Sequence, residues 1–181
     1  MTNDINYVLI NKEQIEQKVS ELGSQISRDY KGKNLLLLGL LKGAVVFMSD
    51  LMRSITIPAA IEFMAVSSYG SSTKTTGVVK VIKDISIDIS DYHVLVVEDI
   101  LDSGMTLSYI LEWVAAKNPK SIKLCTLLNK PDRRVKEVSV DYEGYVIPDE
   151  FVVGYGLDYN EKYRNLSYIG VLKPEVYAGE Q

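Results

Sequence analysis

The sequence predicts an α/β fold, a central, mostly parallel twisted sheet flanked by helices, and three observations carry that reading. Residues 35–41, LLLLGLL, form an apolar run too short for a buried helix and suited to a strand covered on both faces. Residues 94–106, VLVVEDILDSGMT, pass from four apolar residues through two carboxylates to a small polar loop, and an amphipathic helical run follows at once. Strand-like and helix-like segments alternate through most of the chain, as they do around parallel sheets.

The elements can be taken in order. Ile15, Val19, Leu22 and Ile26 recur at steps of four and three, which predicts a first helix over residues 11–30. Asn11 is placed to cap it, with Gln14 three residues later as in a capping box. After the strand at 35–41, Lys42-Gly43 closes the run, and Val45, Val46, Met48, Leu51 and Met52 predict a second helix. Residues 61–66 read as a strand. Residues 67–77, SSYGSSTKTTG, read as a loop by their Ser, Thr and Gly content. Residues 78–82 and 85–89 read as two strands pairing as a hairpin beside that loop. Residues 94–97 read as a buried strand, with its helix running to Lys117 and stopped by Asn118-Pro119.

Residues 122–128 make the next strand, and 129–134 a polar loop. Residues 145–147 and 151–153 read as short strands separated by Pro148-Asp149, 154–165 as a loop with three tyrosines, and 166–172 as a last strand. These late, short segments suggest a small hood lobe over the C-terminal ends of the main strands. One domain over 1–181 is expected, its core at roughly 30–150 and its hood from the N-terminal segment and roughly 150–181.

Bulk properties exclude several classes. The formal net charge of −4 gives no basis for holding nucleic acid by charge. The single cysteine, Cys125, forms no internal disulfide, which fits a reducing compartment. No apolar run reaches the ~20 residues needed to span a membrane. The first ten residues carry no basic stretch ahead of an apolar core, so no signal peptide is expected and a cytoplasmic location is.

The chemistry gathers at strand ends, where open α/β sheets bind ligands. Three predicted strands end in distinctive groups: Lys42-Gly43, then Glu98-Asp99 followed by residues 102–106, then Asn129-Lys130. Gly104 permits close backbone approach, Ser103 and Thr106 add hydroxyls, and a helix N-terminus follows, which together make a cradle for one phosphate. Neither G-x-x-x-x-G-K-[ST] nor G-x-G-x-x-G occurs, which disfavours nucleoside triphosphatases and dinucleotide enzymes. Glu98 and Asp99 would repel a bare phosphate. As pure acceptors they suit a ribose diol or a hydrated divalent cation. The ligand inferred is a sugar phosphate with vicinal hydroxyls, together with Mg²⁺.

Residues 94–106 resemble the ribose-phosphate diphosphate signature of the type I phosphoribosyltransferases. Leu41-Lys42-Gly43, Ser67-Ser68-Tyr69-Gly70, Leu127-Leu128-Asn129-Lys130 and FVVGYGLDYNE at 151–161 resemble the hypoxanthine-guanine phosphoribosyltransferase pattern, in the same order. One motif would assign the superfamily, and five in order point to the purine-salvage branch. The resemblance implies transfer of the phosphoribosyl group from 5-phosphoribosyl 1-diphosphate to hypoxanthine or guanine, giving IMP or GMP and diphosphate, with Mg²⁺ as cofactor.

The resemblance also implies roles by position. Asp102, Ser103, Gly104, Met105 and Thr106 hold the 5′-phosphate, and Asp102 is the acid/base at purine N7. Glu98 and Asp99 face the ribose hydroxyls and metal, and Asp158 holds a second metal ion. Lys130 donates to the 6-oxygen, Phe151 stacks on the base, and Val152 addresses it through backbone. Lys42, Gly43 and Arg164 meet the diphosphate. Ser68 and Tyr69 belong to a loop closing over an oxocarbenium-like transition state. A non-proline cis peptide at Leu41-Lys42 and a homodimer or homotetramer are implied as well. Met105 departs from the basic or polar residue many members carry, and Pro131 directly follows Lys130. The rival reading is a regulator that binds phosphoribosyl diphosphate without turnover. Taken singly, Lys42 and Lys130 would be surface lysines and Phe151 core; the place of Lys42 between a buried strand and Gly43 reverses that reading, and only the order of the motifs raises Lys130.

Overall fold

In a computed structural model, which describes residues 1–68 and 79–178, the core is a six-stranded sheet in the order β4-β3-β2-β5-β6-β7. These strands are β2 (Leu35–Leu41), β3 (Ala59–Ser68), β4 (Val79–Lys83), β5 (His93–Leu101), β6 (Ser121–Asn129) and β7 (Tyr142–Val146). All neighbours are parallel except β4, which pairs antiparallel with β3 at the edge. The helices α1 (Lys12–Asp29), α2 (Val45–Ser54) and α3 (Met105–Ala115) flank the sheet. A second sheet is antiparallel: β1 (Ile5–Ile10), β9 (Ile169–Leu172) and β8 (Val152–Val153), in that order, followed by a helical turn α4 (Pro174–Tyr177).

The reasons are those read from the sequence. Leu35, Leu36, Leu37 and Leu38 are all essentially unexposed, and they divide between two cores. Leu35 and Leu37 join Ile15, Leu22, Phe47 and Leu51 of α1 and α2, whereas Leu36 and Leu38 join Leu107, Ile110 and Val114 of α3. A strand covered by helices on both faces needs no polar alternation. The capping box at Asn11 and Gln14 is present, with both hydrogen bonds at 2.8 Å.

Four expectations need correction, and one strand is added to them. Residues 85–89 form no strand, and β4 pairs with β3 instead of with them. Ile85 and Ile89 are buried, while the Glu62 carboxylate holds the segment by accepting from Ser86 N (3.2 Å) and Ser86 Oγ (2.6 Å). Alternating isoleucines thus served a side-chain latch. Strand β5 does not stop at Val97 but runs through Glu98, Asp99 and Ile100 to Leu101, paired with β6 as far as Asn129. The helix after it ends at Ala115, short of Lys117. Strand β1 was not assigned from the sequence. It is a surface strand with Tyr7 and Val8 exposed, so no buried run marks it. The last strand is also shorter than expected, β9 beginning only at Ile169.

Candidate functional site

Parallel pairing brings the C-terminal ends of β2, β5 and β6 to one rim, and each ending contributes. Along β5, Val94 and Val96 belong to one core and Leu95 and Val97 to the other, yet Leu101 joins the first and Ile100 the second. The alternation therefore changes phase across Glu98 and Asp99, which brings these two neighbouring carboxyls into each other's field. Burial raises the Glu98 carboxyl well above its usual range, and the charge of Asp99 adds to it. Burial also raises Asp99, despite the hydrogen bond to its Oδ1 from Ile100 N at 2.9 Å. Oε2 of Glu98 is buried with no hydrogen-bond partner.

Past Leu101 the chain turns through Asp102-Ser103-Gly104 into α3. Gly104 has φ +80°, and a Cβ there would lie 2.2 Å from Lys136 O, so both the conformation and the space call for glycine. Ser103 O accepts from Val135 N (2.9 Å) and Lys136 N (3.0 Å), which holds the turn against the following segment. The result is a cavity of about 180 Å³ lined by Glu98, Asp102, Ser103, Gly104 and Thr106 among others. Met105 is the one member of 102–106 outside that lining, and its side chain is exposed.

A neighbouring cavity of about 370 Å³ is lined by Asp102, Lys130, Phe151 and Val152 together with Ile100, Arg133, Leu157 and Tyr177. Lys130 is buried, and its Nζ donates to Glu150 O at 2.6 Å. Burial pulls its ammonium below the usual lysine range, while Asp102 and Asp149 act the other way. Asp102 Oδ1 accepts from Arg133 Nε at 3.3 Å, and Arg133 also reaches Asp149 at 3.6 Å. Asp102 thus borders both cavities.

The peptide Leu41-Lys42 is cis. Lys42 Nζ lies 3.0 Å from Glu161 Oε1. Arg164 Nη2 lies 2.8 Å from Asp158 and 3.4 Å from Glu161, and Nη1 donates to Gly156 O at 2.8 Å. The loop bearing Asp158 and Arg164 rests on the β2 turn, since a Cβ on Gly156 would lie 2.2 Å from Gly43 O. Gly43 in turn lies against Asp99. Ser68 ends β3, its backbone paired with Val79. Tyr69 lies outside the described residues, as does the rest of the loop to residue 78.

Residues 9–160 match the family model for the phosphoribosyl transferase domain. The chain belongs to that family. Among its relatives, the hypoxanthine-guanine phosphoribosyltransferase of Mycobacterium tuberculosis (strain ATCC 25618 / H37Rv) is 53% identical over 180 residues, 96% of this chain and 89% of that protein. The enzyme of that name from Bacillus subtilis (strain 168) is 50% identical over 177 residues, 98% of each. A crystal structure of a hypoxanthine phosphoribosyltransferase from Staphylococcus aureus superposes with a TM-score of 0.94 at 50% identity, covering 98% of this chain and 96% of that one.

Within this phosphoribosyltransferase the sequence reading missed some contributors. Glu161 stands inside a quoted motif but had no role, although it joins Lys42 to Arg164. Arg133 and Arg134 follow Lys130 in the polar loop, where two adjacent arginines were the available signal. Arg134 Nε donates to Asp102 O at 3.0 Å and its guanidinium also reaches Asn129 Oδ1, tying the turn at 102–104 to β6. Tyr177 had no motif to mark it.

Proposed function

We propose that this chain is a purine-salvage transferase that moves the 5-phosphoribosyl group of 5-phosphoribosyl 1-diphosphate to N9 of hypoxanthine or guanine, releasing IMP or GMP and diphosphate. The observation that carries the reading is Asp102 at the junction of two cavities, one a helix-terminus cradle and the other walled by a buried lysine and an exposed phenylalanine. A phosphate fits the first and a flat 6-oxo base the second, with the ribose between them along Glu98 and Asp99. Relatives at about 50% identity that are hypoxanthine-guanine phosphoribosyltransferases support the same reaction.

The roles follow from donor and acceptor chemistry. Backbone N–H groups at 103–106 and the start of α3 bind the 5′-phosphate. Lys130, which has donors only, meets the 6-oxygen. Phe151 stacks on the base and Val152 offers backbone. As the C1′–diphosphate bond breaks and N9 bonds to C1′, Asp102 accepts the proton from N7. Lys42 and Arg164 balance the charge of the departing diphosphate, with Gly43 leaving its backbone open to it. The segment beyond Ser68, including Tyr69, is proposed to exclude water during transfer.

Mg²⁺ is the proposed cofactor, and the residues fit one ion at Glu98 and Asp99. Two carboxyls are crowded there at a buried position, and Glu98 Oε2 lacks a partner. Such an ion usually takes one or two carboxylates and completes its shell with substrate oxygens and water. When bound it supplies positive charge against the diphosphate. Asp158 is a weaker candidate ligand, because Arg164 (2.8 Å) and the Glu161 N–H (2.9 Å) already engage it. A homodimer or homotetramer is proposed from the family pattern, with sedimentation velocity as its test. A cytoplasmic location is proposed from the single unpaired cysteine, and cell fractionation tests it. Among the described residues no helix is long and apolar enough to cross a membrane.

The deciding assay incubates the protein with phosphoribosyl diphosphate, Mg²⁺ and each of hypoxanthine, guanine, xanthine and adenine. Turnover with hypoxanthine or guanine is expected. Adenine should be slower by roughly 10⁴-fold or more, since its amino group would meet Lys130 donor to donor. Turnover with adenine alone would overturn the role of Lys130. No turnover with any base would favour a regulator.

A further inference from the structure

We propose that Tyr177 is a positioning residue of the base site, holding the Phe151 ring in the orientation that stacks a purine. The proposal rests on the reading of the Phe151 cavity as the base site. Phe151 is 38% exposed, as a stacking platform must be and a core phenylalanine is not. Rotation of an exposed phenyl ring about χ2 is soft, so a platform needs neighbours that fix its plane. Two tyrosines do this. Tyr159 meets the ring edge-on, with centroids 5.5 Å apart and planes at 87°. Tyr177 lies nearly parallel to it, with centroids 5.0 Å apart and planes at 23°.

The fold delivers Tyr177 by a short route. Leu172 N donates to Phe151 O at 2.8 Å, which sets the end of β9 beside the start of β8. The turn of α4 begins two residues later, and Val176 N donates to Lys173 O at 3.0 Å. Val176 and Tyr177 pack on Val153, Tyr163 and Leu172, so the turn is rooted in the small sheet. Tyr177 also lines the cavity that holds Asp102 and Lys130. An offset parallel ring at this distance is the favoured arrangement of two aromatic quadrupoles. It covers one face of Phe151, and the purine takes the other. The residue thereby acts on base affinity through Phe151, with no part in phosphate binding or proton transfer.

The test is steady-state kinetics on Tyr177→Leu, Tyr177→Phe and Lys130→Ala. Tyr177→Leu keeps apolar contact with the small sheet but removes the ring. It should raise KM for hypoxanthine and guanine about three- to tenfold, the range an aromatic pair supplies, while KM for phosphoribosyl diphosphate stays within about twofold. Tyr177→Phe should restore the wild-type base KM, because the ring and not the hydroxyl is responsible. If Tyr177→Leu melts below the assay temperature, Tyr177→Met provides a second non-aromatic fill with the same expectation. An unchanged base KM, or an equal rise in both KM values, would overturn the proposal. If Lys130→Ala also leaves base kinetics unchanged, the base-site reading itself fails. If Lys130→Ala is impaired while Tyr177→Leu is not, only the role of Tyr177 falls.

Discussion

A Cβ on Gly43 would lie 1.8 Å from Oδ2 of Asp99, so the turn after the central strand and the carboxylate of its neighbour are in direct contact. Gly156 continues the stack, since its own Cβ would lie 2.2 Å from Gly43 O. Two glycines therefore set the spacing between the Asp99 carboxylate, the β2 turn and the loop that carries Asp158 and Arg164. Sequence distance hides this relationship, because the three segments lie more than fifty residues apart.

Gly43→Ala should cost activity through geometry. No shift of a few tenths of an ångström accommodates a methyl group at that distance, so Asp99 or the β2 turn must move. A displacement of about 1 Å at a reacting centre can cost on the order of 10² in rate. The expected result is a loss of that size in kcat/KM with a normal far-UV spectrum. Wild-type kinetics in a folded Gly43→Ala protein would show that Asp99 and Gly43 do not share the site.

Glu161 offers a subtler prediction. Its carboxylate lies 3.0 Å from Lys42 and 3.4 Å from Arg164, the two cations proposed to meet diphosphate. The hydrogen bond from Lys42 lowers the Glu161 pKa, so it is ionised at neutral pH. Diphosphate must compete with it. Lys42 and Glu161 are about two-thirds exposed, and such pairs are worth little. Glu161→Gln should therefore lower the inhibition constant for diphosphate by only about two- to fivefold, an effect that shrinks with added salt. A higher inhibition constant would mean that Glu161 orders the cations and does not oppose the ligand.

How much was legible beforehand depends on the kind of residue. The buried strand at 35–41 and the amphipathic faces of the helices were readable because burial leaves a periodic trace. Lys42-Gly43, Glu98-Asp99 with 102–106, and Asn129-Lys130 were readable because each sits where an apolar run ends, whereas Phe151, Val152, Asp158 and Arg164 were marked only by the family resemblance. Three things left no such trace. Strand β1 is half solvated, so its edge pairing with β9 depends on a partner far along the chain. Residues 85–89 alternate like a strand but answer to the Glu62 carboxylate across the sheet edge. Tyr177 matters only because α4 folds back on Phe151, and nothing local records that. The phase change at Glu98 and Asp99 also depends on both cores at once, which is why the strand was expected to end before them.

Asp102→Asn separates proton transfer from binding. The side chain borders both cavities, whereas the proposed phosphate cradle is built from backbone that Arg134 holds at Asp102 O (3.0 Å). An amide of the same shape keeps that backbone in place but loses the charge. The rate of transfer should fall about 10²- to 10³-fold, within the usual contribution of a positioned acid or base, while KM for phosphoribosyl diphosphate changes little. Unchanged turnover would remove Asp102 from the proton-transfer role.

The Glu62 latch should make stability at the sheet edge depend on pH. Glu62 accepts from Lys83 Nζ (2.8 Å), Ser86 Oγ (2.6 Å) and Phe63 N (2.8 Å), and is largely shielded from solvent. The hydrogen bond from Lys83, with that from Ser86, lowers its pKa from about 4.5 to about 2. A carboxylate whose folded pKa is depressed binds fewer protons when folded. Its stabilising contribution is therefore present in full above the unfolded value near 4.5 and is lost as pH falls toward 2. Lys83 is partly exposed, so the whole shift should not be converted into energy. Charged hydrogen bonds discounted for screening suggest about 1–2 kcal/mol. Urea unfolding of wild type and Glu62→Gln should differ by that amount at pH 7, and the gap should narrow steadily as the pH is lowered below 4.5. A gap that stayed constant from neutral pH down to the acid limit would mean that the latch holds residues 84–89 by packing of Ile85 and Ile89, with no electrostatic part.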